Sequence, residues 1–71
     1  MKVETIEISL GGAPHAVPAA STLAALVAAL GHAPEAVATA VNGEFVPREA
    51  RAARVLAPGD AVLLFQRIVG G

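Results

Sequence analysis

The residues best suited to chemistry stand at the C-terminal end of the sequence, which closes on Gly70 and Gly71. Neither has a side chain, so this end offers only two peptide groups and a terminal carboxylate. A free α-carboxylate is ionised at neutral pH. It is then a poor electrophile and must be activated, for instance as an acyl-adenylate, before a nucleophile attacks it. Glycine also lets a backbone approach a partner closely, as a chain end that enters an enzyme's channel requires. The alternative is a frayed terminus without a function.

Other side chains give weaker candidates for a site. Two histidines, His15 and His32, are too few for a metal site, which needs three or four ligands. The six acidic residues show no paired spacing that indicates acid–base catalysis. The chain has no cysteine, which excludes a disulfide framework, a thiol nucleophile and a thiolate metal site. We therefore expect no metal, no bound cofactor and no catalytic residue.

Length and composition indicate one small globular domain over residues 1–71, with 67–71 a flexible tail. The chain is 55% hydrophobic and 15% charged, which is typical of a folded domain. Its net charge of −1 and lack of a basic cluster argue against nucleic-acid binding. No apolar run is long enough to cross a membrane, and the N-terminus lacks a signal pattern. We expect a cytoplasmic protein that is a monomer on its own.

The first half of the sequence predicts a hairpin and a helix. Apolar and polar residues alternate over residues 6–10, which is typical of a half-buried strand. Gly11 and Gly12 suit a tight turn. Residues 13–19 predict a returning strand at a sheet edge, since its two prolines cannot donate ladder hydrogen bonds. Apolar residues at helical spacing then predict a helix over residues 22–30, capped by Ser21 or Thr22 and ended by Gly31.

The second half predicts a further hairpin and a final strand. Residues 37–41 and 44–47 flank Asn42 and Gly43, a strong type I′ turn signal. Residues 48–56 are weakly helical and predict one turn followed by an extended crossing. Residues 58–60 predict a turn, and residues 61–66 a central strand that is apolar on both faces. The order of elements favours an α+β, β-grasp fold in which one helix covers a mixed sheet. A ferredoxin-like fold is less suitable because only one helix is convincing.

Alternation along the last strand predicts which of its side chains face the helix. We expect Leu26 and Val27 to pack the helix against the sheet; the partners expected there are Ile6, Ile8, Val62 and Leu64. Leu63 and Phe65 then face away and form an exposed apolar patch beside the tail. Patches of this kind usually mark a partner surface.

Several stretches, taken together, carry a resemblance to a known family. They are the Leu-rich helix of residues 22–30, AVNG at 40–43, VPRE at 46–49, PGDAVLLFQ at 58–66, and the closing Gly-Gly. From Ile6 onward the chain resembles the ThiS-type sulfur carriers of the ThiS/MoaD family, which are ubiquitin-like β-grasp proteins of thiamine biosynthesis. Residues 1–5 extend beyond the usual start. Arg51 stands where many relatives carry a bulky aromatic residue, a departure that concerns the partner surface.

The resemblance implies a protein co-substrate that catalyses nothing itself. A ThiF-like adenylyltransferase uses ATP and Mg²⁺ to adenylate the terminal carboxylate, here that of Gly71. Sulfur delivery then gives a thiocarboxylate, and a ThiG-like thiazole synthase takes the sulfur. Gly70 is the permissive neighbour of the modified residue. The extended arm recognised during docking consists of Arg67, Ile68 and Val69.

Three other functions remain open from the sequence. A MoaD-like small subunit of molybdopterin synthase uses the same tail chemistry, although VPRE and the Phe-Gln before the tail favour ThiS. A conjugated ubiquitin-like modifier is a further alternative. An interaction module whose Gly-Gly is incidental belongs to a different class of protein. The sulfur donor is not indicated by the sequence.

Overall fold

The computed structural model describes residues 4–66 of the 71-residue chain. Residues 1–3 and the predicted tail, 67–71, lie outside the described residues. In the part of the chain that the structure describes, no helix is long and apolar enough to cross a membrane.

Within residues 4–66, five strands form one mixed sheet, and a single α-helix accompanies them. The strands are β1 (Thr5–Leu10), β2 (Ala13–Pro18), β3 (Val37–Val41), β4 (Glu44–Val46) and β5 (Ala61–Gln66), and the helix is α1 (Leu23–Ala29). Two 3₁₀ helices, Pro34–Ala36 and Arg48–Ala53, flank the β3–β4 hairpin. The sheet order is β2-β1-β5-β3-β4. β1 and β5 run parallel and the other neighbours antiparallel. The predicted β-grasp fold is confirmed.

Each turn follows from residues that accept the backbone angles it needs. Gly11 and Gly12 have φ of 60° and 87°, and they return the chain from β1 into β2. Asn42 and Gly43 have φ of 54° and 82°, as the type I′ turn between β3 and β4 requires. β2 lies at an edge of the sheet and β5 in its centre, so both predicted strand positions are confirmed.

The helix is one residue shorter at each end than the predicted range of 22–30, and Thr22 rather than Ser21 caps it. The Thr22 hydroxyl accepts a hydrogen bond from the Ala25 backbone N–H (3.1 Å). At the other end, Gly31 takes φ of 84°. The N–H of the following residue, His32, donates to the Val27 carbonyl (3.2 Å). This arrangement satisfies carbonyls of the last turn that have no partner within the helix.

The core lies between α1 and one face of the sheet. Leu26 is buried in one cluster with Ile8 and Val62, and the half-buried Ile6 and Leu64 pack against that cluster. The predicted packing of Leu26 is therefore confirmed. Val27 is also buried but is not part of the cluster, so its packing against the predicted sheet partners stays a prediction. Five more residues complete the cluster: Val17, Leu23, Val41, Val46 and Leu56.

Arg51 is a buried residue that ties the second 3₁₀ helix to the sheet. Its guanidinium donates to the Thr39 hydroxyl oxygen (3.0 Å) and to the carbonyls of Pro34 (2.8 Å) and Val37 (2.6 Å). Thr39 in turn donates to the Val46 carbonyl (2.8 Å). Only 3% of Arg51 is exposed, so its departure from the family pattern changes an interior contact and not the partner surface.

Candidate functional site

The end of β5 is the point from which the predicted tail departs. β5 ends at Gln66, the last described residue, and lies between β1 and β3 in the sheet. The predicted modified residue, Gly71, and the predicted recognition arm lie outside the described residues. The described part of the site is therefore β5 with the strands beside it.

Side chains along β5 alternate as predicted. Val62 is fully buried and Leu64 is half-buried on the helix side. Leu63 is 42% exposed and Phe65 is 53% exposed on the opposite face. The predicted phase of the strand is confirmed, and the role of Leu63 and Phe65 as a partner surface stays a prediction.

The exposed apolar surface is wider than the sequence predicts. Ala38 pairs with Phe65, and Ala40 pairs with Leu63 on one side and with Phe45 on the other. These five residues share the helix-free face of the sheet, and we call them the sheet patch. Phe45 is 69% exposed because its neighbour on β3 is an alanine, which is too small to cover the ring. Two aromatic rings and a leucine thus flank a floor of alanine side chains.

Sequence reasoning missed Phe45, although the β3–β4 hairpin contains the signal for it. A two-residue turn at Asn42 and Gly43 pairs Val41 with Glu44 and therefore Ala40 with Phe45. Since directly opposed residues point to the same face, Phe45 joins Ala40. No turn signal in the sequence reveals that Ala38 opposes Phe65, because that pairing joins β3 to β5, which are far apart in the sequence.

A polar clamp fixes the position at which β5 begins. The Asn42 side-chain amide donates to Asp60 Oδ1 (3.0 Å), and its carbonyl oxygen accepts from the Ala61 N–H (2.9 Å). Asp60 Oδ2 accepts from the Ala57 N–H (2.8 Å). These bonds join the β3–β4 turn to the start of β5, so they set the register that places Leu63 and Phe65 on the open face.

The same hydrogen bonds favour the ionised form of Asp60. The Ala57 N–H, then the Asn42 amide, lower the pKa of this carboxyl below its ordinary value, and the charge of Arg54 adds to the effect. Burial acts in the opposite direction but does not prevail. The carboxylate is therefore a structural acceptor at neutral pH. It has no spare role as a proton donor.

A shallow cleft of about 380 Å³ continues the sheet patch toward the second 3₁₀ helix. Ala38 and Phe45 belong to both surfaces. Charges of both signs lie in the cleft, including Arg48 and Glu49, so it has no marked preference for an anion or a cation. Among residues 4–66, no group of three or more His, Asp or Glu side chains is placed to hold a metal ion.

The sheet patch itself offers surface and no reactive group. Alanine, leucine and phenylalanine side chains can neither transfer a proton nor attack an electrophile. An exposed apolar surface beside the outgoing end of a central strand is suited to docking against another protein.

Comparisons with known proteins agree on one family. The model of the ThiS family matches residues 5–71. The crystal structure of the thiamine biosynthesis protein ThiS from Geobacter metallireducens is similar, with a TM-score of 0.78 and 32% identity, over 93% of this chain and 100% of that one. An NMR solution structure of a thiamine biosynthesis protein from the same organism has a TM-score of 0.72 and 35% identity, over 93% and 87%. Among curated proteins the comparison finds no match.

Proposed function

Because the chain belongs to the ThiS family, whose members are small sulfur carriers, we propose that it carries sulfur for thiamine biosynthesis on the carboxylate of Gly71. The observation that carries the proposal is the family match, which extends through the terminal Gly-Gly. The sheet patch supports it, since a carrier must dock on the enzymes that load and unload it. The chain acts as a protein co-substrate in the cytoplasm and supplies no catalytic group.

Loading of the carrier takes two steps in this proposal. A carboxylate oxygen of Gly71 attacks the α-phosphorus of ATP on a ThiF-like adenylyltransferase, and pyrophosphate leaves. A sulfur nucleophile at the oxidation level of sulfide then attacks the acyl carbon, and AMP leaves with the bridging oxygen. The product is a thiocarboxylate, from which a ThiG-like thiazole synthase takes sulfur. ATP and Mg²⁺ belong to the partner's active site.

Docking in this proposal uses two parts of the chain. Leu63 and Phe65, with the rest of the sheet patch, hold the folded body against the partner. The tail beyond Gln66 reaches the active site: Arg67, Ile68 and Val69 form the recognised arm, and Gly70 admits the backbone to a narrow channel. The body thereby fixes where the terminal carboxylate lies.

The length of the tail tests this proposal. Removal of Gly71 moves the carboxylate back by about 3.3–3.6 Å along an extended chain. A misplacement of about 1 Å can already reduce a rate roughly a hundredfold. We therefore expect that a chain lacking Gly71 is not adenylated. A chain with one added alanine should also fail, because it moves the carboxylate forward and introduces a side chain.

The measurement is ATP–pyrophosphate exchange with the ThiF-type enzyme of the same cell and each of the three carriers. Circular dichroism melts check that all three are folded, as expected for changes outside the core. Equal exchange with all three would show that Gly-Gly is not the reacting end. Intact-mass analysis of carrier from cells should also show one oxygen replaced by sulfur.

A further inference from the structure

One edge of β5 is open over its second half. β1 pairs with β5 only at Ser9 with Ala61 and Leu10 with Val62. The last hydrogen bond on that side runs from the Gly11 N–H to the Val62 carbonyl (3.0 Å). The chain then turns through Gly11 and Gly12 into β2 and leaves the side of β5. On its other side, β5 pairs with β3 along its full length.

The open edge presents the backbone groups of two residues. Successive residues of a strand direct their N–H and C=O groups to opposite sides, and the Val62 carbonyl points toward β1. Leu64 and Gln66, two and four residues later, point the same way. Neither has a partner strand on that side among residues 4–66. Leu63 and Phe65 direct their groups toward β3 and are paired there.

We propose that an extended segment of the adenylating partner adds to this open edge and pairs with Leu64 and Gln66. The segment would lie beside the second half of β5, beyond the end of β1. The inference rests on the proposed function. Unpaired strand groups are a template for another strand, and strand addition is a recurrent mode of protein recognition. Five residues, 67–71, follow Gln66 in the sequence, so a strand bonded at Gln66 fixes the origin of the segment that must reach the active site.

The surroundings of the edge specify the chemistry of the added segment. One face of a strand placed there adjoins the exposed Leu63 and Phe65. Its other face adjoins Leu10 and Leu64, which are half-buried at the margin of the core. A segment with apolar side chains on both faces therefore fits, and it makes one continuous surface with the sheet patch. The competing occupant is a second copy of the chain, which would pair through the same edge of its own β5.

Amide hydrogen exchange tests this arrangement through an alternating pattern. The probe is the ThiF-type enzyme with ATP, and exchange is read at single residues by NMR after the complex is dissociated. We expect slow exchange at Leu63 and Phe65 in both states, because β3 pairs with them, and slowing at Leu64 and Gln66 only in the complex. Adenylation without slowing at Leu64 and Gln66 would overturn the inference and leave the proposed function intact. Slowing in the carrier alone, increasing with its concentration, would assign the edge to a second copy.

A matched pair of variants provides an independent readout. Gln66→Pro removes the N–H that faces the open edge and spares the pairing with β3, and proline accepts a strand conformation. Gln66→Ala keeps that N–H. We expect KM for the carrier to be about three- to tenfold higher with Gln66→Pro than with Gln66→Ala, as the loss of one hydrogen bond implies. Equal KM for both variants would contradict strand addition. If the wild-type carrier supports no pyrophosphate exchange, that result would contradict both the proposed function and this inference.

Discussion

Arg51 places a positive charge inside a small domain and satisfies it with neutral acceptors. The guanidinium donates to two carbonyls and a hydroxyl, one of them in the first 3₁₀ helix and two in β3. Hydrogen bonds that involve an ionised group are worth more than neutral ones. One side chain thereby holds the first 3₁₀ helix and the second against β3.

Replacement of Arg51 by methionine should therefore destabilise the fold strongly. Methionine retains an apolar stem but leaves the Pro34 and Val37 carbonyls without their donors. We expect a loss of about 2–4 kcal/mol in the free energy of unfolding, measured by urea denaturation. Arg48→Met is the matched control, since Arg48 is exposed and should change stability by less than about 0.5 kcal/mol. Equal urea midpoints for the two variants would contradict the role given to Arg51.

Asp60 should make the free energy of unfolding depend on pH in the acid range. Its pKa is lower in the folded state than in the unfolded chain, so the carboxylate contributes stability above its unfolded pKa. That contribution is lost as the pH falls below the unfolded pKa and then through the lower folded pKa. Asp60→Asn should be less stable than wild type at pH 7, and the two free energies of unfolding should converge as the pH falls. Urea titrations at successive pH values measure both, and a constant difference between them would contradict the assignment.

The elements show which parts of the structure the sequence determines locally. β3 and β5 have the bounds expected from their turn residues and apolar pattern, whereas β4 ends at Val46, one residue earlier than expected. The phase of Leu63 and Phe65 follows from alternation alone. The second 3₁₀ helix was predicted as one helical turn but spans Arg48–Ala53. It depends on Arg51 bonds to residues 12 to 17 positions away. The pairing of Ala38 with Phe65 likewise depends on a register that the Asn42–Asp60 clamp sets across the fold.

The sheet patch makes a prediction that separates docking from folding. Phe65→Ala and Phe45→Ala remove exposed rings, so each should leave the free energy of unfolding within about 0.5 kcal/mol of wild type. Loss of an aromatic anchor from the centre of an interface commonly costs about 2 kcal/mol in binding. We expect KM of the adenylating enzyme for the carrier to rise by about tenfold or more. Kinetics of pyrophosphate exchange at varied carrier concentration measure it.

Val55→Ala is the control for that prediction. Val55 is 55% exposed, a fraction similar to that of Phe65. It lies outside the five-stranded sheet and forms an isolated β-bridge with Thr22. Its truncation should leave KM unchanged. If Val55→Ala and Phe65→Ala weaken the reaction equally, loss of exposed apolar surface in general, and not the sheet patch, accounts for the effect.

The whole molecule divides its sheet between two tasks. The face against α1 contains the buried cluster that stabilises the domain, and the opposite face contains the sheet patch. β5 contributes to both faces and ends at the residue before the tail. Because the sheet supplies both the buried cluster and the sheet patch, we expect folding and docking to be separable from the chemistry at Gly71.

A chain that ends at Gln66 tests this separation. It retains every residue of the buried cluster, and we expect its free energy of unfolding to lie within about 0.5 kcal/mol of that of the full chain. It also retains the sheet patch, so it should bind the adenylating enzyme without being adenylated and inhibit the full-length carrier competitively in pyrophosphate exchange. The same truncated chain with Phe65→Ala should be folded but a weaker inhibitor, because it lacks an anchor of the patch. If the truncated chain is folded and does not inhibit, the energy of docking resides in residues 67–71 and not on the face of the sheet.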